Sequence, residues 1–302
     1  MNDKKLYIIG NGFDLYHKMK TSYSDFNEYI AKNNVELESF FGNYFNFETN
    51  KNYLWENFEY DLGTFDWEVF FQDNDNISPL SDNEDLGKYY EVHDDINEQL
   101  ESITKEISDA LYNWISKAEK DYYLQLPKIK LLTISKNDLY LSFNYTDTLN
   151  KMYKIPDFNV LHIHKCIKKS PDTLIFGHNQ DVELDQDDPE AFAGGLTYAI
   201  DSAKLLYSTL KKPTDEIIED NIDFFDNLSS ISEIIVLGHS MNEIDLPYYK
   251  KIRGVVDDST LWRVSYYWPE EENALKQILI SIGIEESHIY MFKMQNLSDE
   301  SI

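Results

Sequence analysis

The chain is 302 residues long and carries 55 Asp and Glu against 27 Lys and Arg, a formal net charge of −28. So acidic a surface repels phosphate backbones and anionic lipid, and only Arg253 and Arg263 offer the guanidinium that reads phosphate best, which disfavours nucleic acid and membrane as partners. A hydrophobic fraction of 42% with 22 Tyr, 17 Phe and 5 Trp excludes a disordered acidic tail, and a single cysteine, Cys166, excludes a disulfide framework or a cysteine-rich metal cluster.

The first apolar run, residues 6–9, reaches glycine too soon for a signal-peptide core, and no run approaches the roughly 18 residues of a membrane span. The expectation is a cytoplasmic protein. That run reads as a strand leading into Gly10-Asn11-Gly12, after which Ser22 and Asp25 stand at capping-box spacing before Phe26, Tyr29 and Ile30. From residue 36 to 109 there are 20 Asp and Glu against three Lys, among many aromatic residues. Ile96, Leu100, Ile103, Ile107, Leu111, Trp114, Ile115 and Ala118 then recur at the three-to-four spacing of a long amphipathic helix. Residues 35–130 are therefore expected to form a mainly helical acidic insertion within a single α/β domain covering 1–302. Within it Trp55, Glu56, Glu59, Trp67 and Glu68 read as core aromatics with carboxylates on the solvated side.

Further strands are predicted over 139–143, 159–163, 173–176, 234–237, 261–266 and 289–292, with helices near 198–211 and 214–230 and an acidic loop at 181–190. Strands alternating with helices predict a Rossmann-like, doubly wound, mostly parallel α/β sheet. In such sheets ligands bind beyond the carboxyl ends of the strands. The residues there are unusually polar: Gly10-Asn11-Gly12-Phe13-Asp14, Asn144-Tyr145-Thr146-Asp147, His162 and His164, Gly177-His178-Asn179, and Gly238-His239-Ser240 with Asp245 beyond. Four of the seven histidines stand at or just past predicted strand ends, the strongest site signal in the chain.

Each element of this signal has two readings. The glycine turn fits a phosphate cradle or an ordinary tight strand–helix turn, and Leu15 occupies the third glycine position of the dehydrogenase fingerprint. Asn144 and Asp147 suit a ribose contact or the cap of a helix starting near Thr148. His162 and His164, two apart on a strand, would share one face, and with His178 and a carboxylate they suggest a metal; without a recognised ligand spacing no metal is expected. Gly238-His239-Ser240 resembles a nucleophile elbow followed by Asp257 and His288 in hydrolase order, but Asn242 replaces the closing glycine.

The blocks LYIIGNGFDLYHKMKTSYSDF, WENFE, LSFNYTDTL, VLHIH, LIFGHN and VLGHSMNEID, in that order from residue 6 to about 267, resemble the AbiH family of bacteriophage abortive-infection proteins. More distantly they are similar to sirtuin-like NAD-binding domains. That resemblance implies a pyrophosphate turn at Gly10 and Gly12, a ribose asparagine at Asn144, a catalytic histidine at His164, and a glycine–serine turn at Gly238 and Ser240. It places glycine after the histidine, where this chain has Lys165, and an acid one residue before Asp147.

The expectation is an anti-phage effector that binds NAD, or a related nucleotide, as substrate and cleaves its N-glycosidic bond. Its catalytic residues would be His164, Asn144 and Asp147, and its nucleotide contacts Gly10, Asn11, Gly12, Phe13, Asp14, His162, His178, Gly238, His239 and Ser240. The alternatives are a nucleotide-binding sensor or assembly module without turnover, a serine esterase using Ser240, and a nuclease whose Asp14 and Asp147 hold Mg²⁺. The partners expected are a small-molecule nucleotide and a second copy of the chain or a defence-system partner.

Overall fold

The apolar runs condense into one sheet. In the computed structural model, which describes residues 4–47, 57–66, 69–70, 73, 86–125, 127–168, 173–181 and 206–297, β1 (Lys5–Ile9), β2 (Leu139–Ser142), β3 (Val160–His162), β4 (Glu233–Leu237), β5 (Leu261–Tyr266) and β6 (Ile289–Lys293) lie in the order β3-β2-β1-β4-β5-β6. Every neighbouring pair is parallel. Strands buried on both faces need apolar side chains at successive positions, which is why β1 after Lys5 and β4 after Glu233 read as unbroken apolar runs.

The two faces build separate cores. Leu6, Ile8, Leu141, Ile234, Val236, Trp262 and Val264 point one way. There they meet α7 (Thr214–Asp220), α8 (Ile222–Asp226), α9 (Leu246–Arg253) and α10 (Pro269–Ser281) through Ile217, Phe225, Tyr248, Tyr249, Ile252 and Leu279. Tyr7, Ile9, Tyr140, Ile235 and Leu237 point the other way, against Phe13 of α1 (Asn11–Tyr16) and Leu149 and Tyr153 of α6 (Thr148–Tyr153). Tyr7 and Tyr140, partners in the ladder, stack with ring centroids 5.0 Å apart. Helices on both faces of a parallel sheet make the fold doubly wound and Rossmann-like.

Residues 173–176 are not a strand. Ile175 donates its N–H to the His164 carbonyl at 3.1 Å and its own carbonyl accepts from the Tyr145 hydroxyl at 2.9 Å, so its backbone is satisfied outside any ladder. Gly177, with φ of 137°, then turns the chain away.

This sheet and its helices belong to a first compact unit of Met1–Ser22, Ile115–Ile175 and Pro213–Ile302; a second comprises Tyr23–Trp114 and Phe176–Lys212. The second is helical and aromatic. It holds α2 (Tyr23–Asn33), α3 (Val35–Tyr44), α4 (Phe58–Asp61) and the part of α5 (Leu86–Gln125) up to Trp114. Asn34 caps α3 by accepting the Leu37 N–H at 3.0 Å. Phe26, Phe58, Phe41 and Phe47 form an edge-on and stacked cluster with centroids 5.3–5.8 Å apart.

The predicted stripe of α5 is buried at Leu100, Ile107, Leu111, Trp114, Ile115 and Ala118 and half-buried at Ile103; the side chain of Ile96 lies outside the described residues. Trp55, Glu56, Trp67 and Glu68 also lie outside them, as do residues 182–190 and 198–205. Glu59 is not on a solvated face: it accepts the Tyr23 hydroxyl at 2.7 Å and pairs with Lys212, whose ammonium is fully buried and requires a counter-charge. Among the described residues no helix is long and apolar enough to cross a membrane.

Candidate functional site

In this strand order the sheet reverses direction of winding between β1 and β4, and the residues that follow their carboxyl ends define the crevice. The two turns there lie directly against each other. Gly10 donates its N–H to the Leu237 carbonyl at 3.0 Å, Gly12 to the Gly238 carbonyl at 2.8 Å, and Phe13 to the Gly10 carbonyl at 2.9 Å. A Cβ on Gly10 would sit 2.5 Å from the His239 Cα, and one on Gly12 2.7 Å from the Gly238 Cα. The glycines are therefore accounted for by close main-chain approach, and the Gly10, Gly12 and Phe13 amides are engaged with carbonyls rather than turned toward a pyrophosphate. Asn11 closes the following loop by donating to the Thr21 carbonyl at 2.7 Å, and the Phe13 ring is core.

Asp14 is the hub that joins the β1 turn to the β2 turn. Its Oδ2 accepts from the Thr146 hydroxyl at 2.6 Å and Asn144 Nδ2 at 3.0 Å, and its Oδ1 accepts from the Thr148 hydroxyl at 2.6 Å. Burial pushes its carboxyl up to about 6 against the pull of those three bonds, with the nearby Glu119 adding to the rise. Asn144 Nδ2 also donates to the Gly10 carbonyl at 3.1 Å, so both amide hydrogens are engaged and the carboxamide presents its oxygen, an acceptor.

Asp147 occupies the N-cap position of α6 but makes no capping bond with its side chain. Its carboxylate instead lies 3.0 Å from Lys168 Nζ, while its N–H donates to the buried carboxylate of Glu119, which also binds Lys151. With both Asp14 oxygens and Asp147 so engaged, the arrangement does not favour the Mg²⁺-holding nuclease reading.

The histidines take distinct environments. β3 ends at His162, and the chain turns immediately, with Lys165 at φ 64° donating its N–H to the His162 carbonyl at 3.0 Å. His162 and His164 therefore do not share a strand face. His164 packs edge-on to Phe143 and Tyr248 at 5.3 and 5.8 Å, and its Nε2 lies 3.7 Å from Asp245 Oδ1. His239 reaches the other oxygen of the same carboxylate, Nε2 to Oδ2 at 3.4 Å, and its Nδ1 accepts the Met241 N–H at 2.9 Å. A nitrogen that accepts carries no proton, so the His239 proton is on Nε2, facing Asp245.

Tyr249 completes the cluster 5.5 Å from His239, its hydroxyl pushed well up by burial and then by Asp245. Two imidazoles about one carboxylate, all buried, form a group suited to taking and returning a proton. His178 belongs to the second unit and has both nitrogens engaged, Nδ1 accepting the Gln180 N–H and Nε2 donating to the Tyr207 carbonyl, with burial pulling its pKa down.

Ser240 is exposed, beyond the carboxyl end of β4. Asp257 precedes β5 and His288 immediately precedes β6, so both stand at the amino edge of a parallel sheet, the edge opposite Ser240. Ser240, His288 and Asp257 therefore form no triad. Several participants were given no role in the sequence reading, among them Glu119, Thr146, Thr148, Lys168 and Tyr249. The only signal for the threonines was their alternation around Asp147, and Glu119 on α5 carried none.

No curated protein and no solved structure matches the chain. The sequence model of a family described as bacteriophage abortive infection AbiH matches residues 6–266, most of the chain and every strand of the sheet but β6. The chain belongs to the AbiH family, which implies a role in abortive infection by phage.

Proposed function

We propose that, within this role, the protein binds NAD or a related nucleotide at the carboxyl edge of its sheet and hydrolyses the bond between nicotinamide and ribose. The observation that carries the reading is the buried group of His164 and His239 about Asp245, beyond the switch between β1 and β4. In the reaction the C1′–N bond breaks, nicotinamide leaves as the neutral base, water bonds to C1′, and its proton passes to His164. Asp245 behind the imidazole favours the imidazolium that forms, and Asn144, fixed by Asp14 and Gly10, positions the sugar. The carboxylate of Asp14, held by neutral donors, favours the positive charge that develops on the ribose ring. Because the Gly10, Gly12 and Phe13 amides are engaged, the grip falls on sugar and base more than on the pyrophosphate.

The test is to incubate the protein with NAD and follow nicotinamide by chromatography. Wild type should release it, and His164→Ala should lose about 100-fold or more of the rate while keeping its fold. Binding of NAD without release would point to a sensor, and a fully active His164→Ala would refute the assignment of the base.

A further inference from the structure

His162 stands at the last position of the edge strand β3, paired in register with Ser142 at the carboxyl end of β2. Its Nδ1 lies 3.3 Å from the main-chain carbonyl of Asn144. A carbonyl only accepts, so Nδ1 carries the ring proton and Nε2 is left with a bare lone pair. That lone pair is buried with no hydrogen-bond partner among the described residues. Burial is also the main influence that pulls the ring's pKa down, which keeps it neutral and Nε2 an acceptor. A buried acceptor with nothing to accept is costly, and it marks a place where a donor arrives from elsewhere.

The adjoining chemistry narrows what that donor is. The carboxamide of Asn144 presents its oxygen, since both its hydrogens are engaged, and the charged groups nearest in effect to His162 are Asp147 and Asp157 with Lys168 between them. Acceptors and carboxylates repel a phosphate, which has only acceptors to offer, and welcome hydroxyls. We propose that His162 Nε2 accepts a hydrogen bond from a ribose hydroxyl of the bound nucleotide, making it a specificity-determining residue distinct from the His164 group. This deepens the nucleotide reading and rests on it.

Two shape-matched replacements separate this role from a structural one. Asn at 162 reproduces the Nδ1 donor to the Asn144 carbonyl but has nothing at the Nε2 position; Gln places an acceptor near Nε2 but abandons that donor. Binding of ADP-ribose and of NAD is measured by calorimetry for wild type, His162→Asn and His162→Gln, beside nicotinamide release. The expected result is ADP-ribose binding about tenfold weaker in His162→Asn, within about threefold of wild type in His162→Gln, and a melting temperature for His162→Asn no lower than that of wild type.

The reverse order, with His162→Asn binding normally and His162→Gln impaired, would assign the ring to holding Asn144 and overturn the proposal. So would equal binding by all three proteins, even with nicotinamide release intact, in which case the glycohydrolase reading survives alone. Wild-type binding without release sinks that reading, yet the two variants still decide the role of His162. A wild type that binds neither compound overturns both.

Discussion

Asp14 offers the most direct test of how the site is built. Its carboxylate is buried, faces no cation among the described residues, and is held by two threonine hydroxyls and Asn144. With its pKa lifted from the ordinary 3.8 to about 6, the folded protein holds the proton more tightly than the unfolded chain. The sign follows from that: the folded state is favoured while Asp14 is protonated, and it loses ground as pH rises through the interval from about 4 to 6. At about 1.4 kcal/mol per pH unit the full loss is about 3 kcal/mol, of which about half falls between pH 5 and pH 8.

Asp14→Asn removes this titration. The oxygen of the new amide accepts from Thr146 and Asn144, and its nitrogen donates to Thr148, whose hydroxyl turns toward Thr146, 3.1 Å away. Urea unfolding of both proteins at pH 5 and pH 8 reads the effect. Wild type should lose about 1–2 kcal/mol more than Asp14→Asn between the two pH values, all other titrations being common to both. Identical pH dependence would show that the carboxylate is not the buried, uncompensated charge described.

Two further outcomes follow from the backbone. Lys165→Gly, at φ 64°, should stabilise the protein by about 0.5–1 kcal/mol and raise Tm by about 1–4 °C with activity retained; a lower Tm would refute a left-handed turn after His164. Gly238→Ala should cost about 3 kcal/mol or more, because its methyl would lie 2.4 Å from the Gly12 carbonyl carbon, whereas Gly283→Ala, with φ 89° and open space around it, should cost only about 1 kcal/mol. Equal losses in thermal melts would mean that the two glycine turns do not lie against each other.

The sheet was legible because parallel strands buried on both faces leave unbroken apolar runs, and β1, β2, β4, β5 and β6 all formed where such runs stand. Residues 173–176 misled for the same reason. A half-buried loop that packs Ile175 against the core and buries Leu174 has the composition of a short strand, and only its backbone bonding distinguishes them. At the candidate site, Gly10, Asn144, His164 and Gly238 stand out in the sequence because they lie at or just past strand ends. Which residues they pair with does not. Asp14 meets Asn144 130 positions away, and Glu119 reaches Asp147 from a helix whose own pattern records only its apolar stripe. Lys165, where the resemblance placed a glycine, has φ of 64°, the left-handed backbone that glycine adopts most readily.

The position of β1 has a consequence in time. β1 leaves the ribosome before either of its neighbours in the sheet, with its Ile9 paired to Ser142 on one side and Leu237 on the other. At about 5–20 residues per second, Leu237 emerges on the order of 10–45 s after Ile9. Until then the Gly10 turn has no Gly238 to rest on, and His164 has neither Asp245 nor His239 beside it. A chain interrupted anywhere before that point lacks the Asp245 and His239 that stand beside His164.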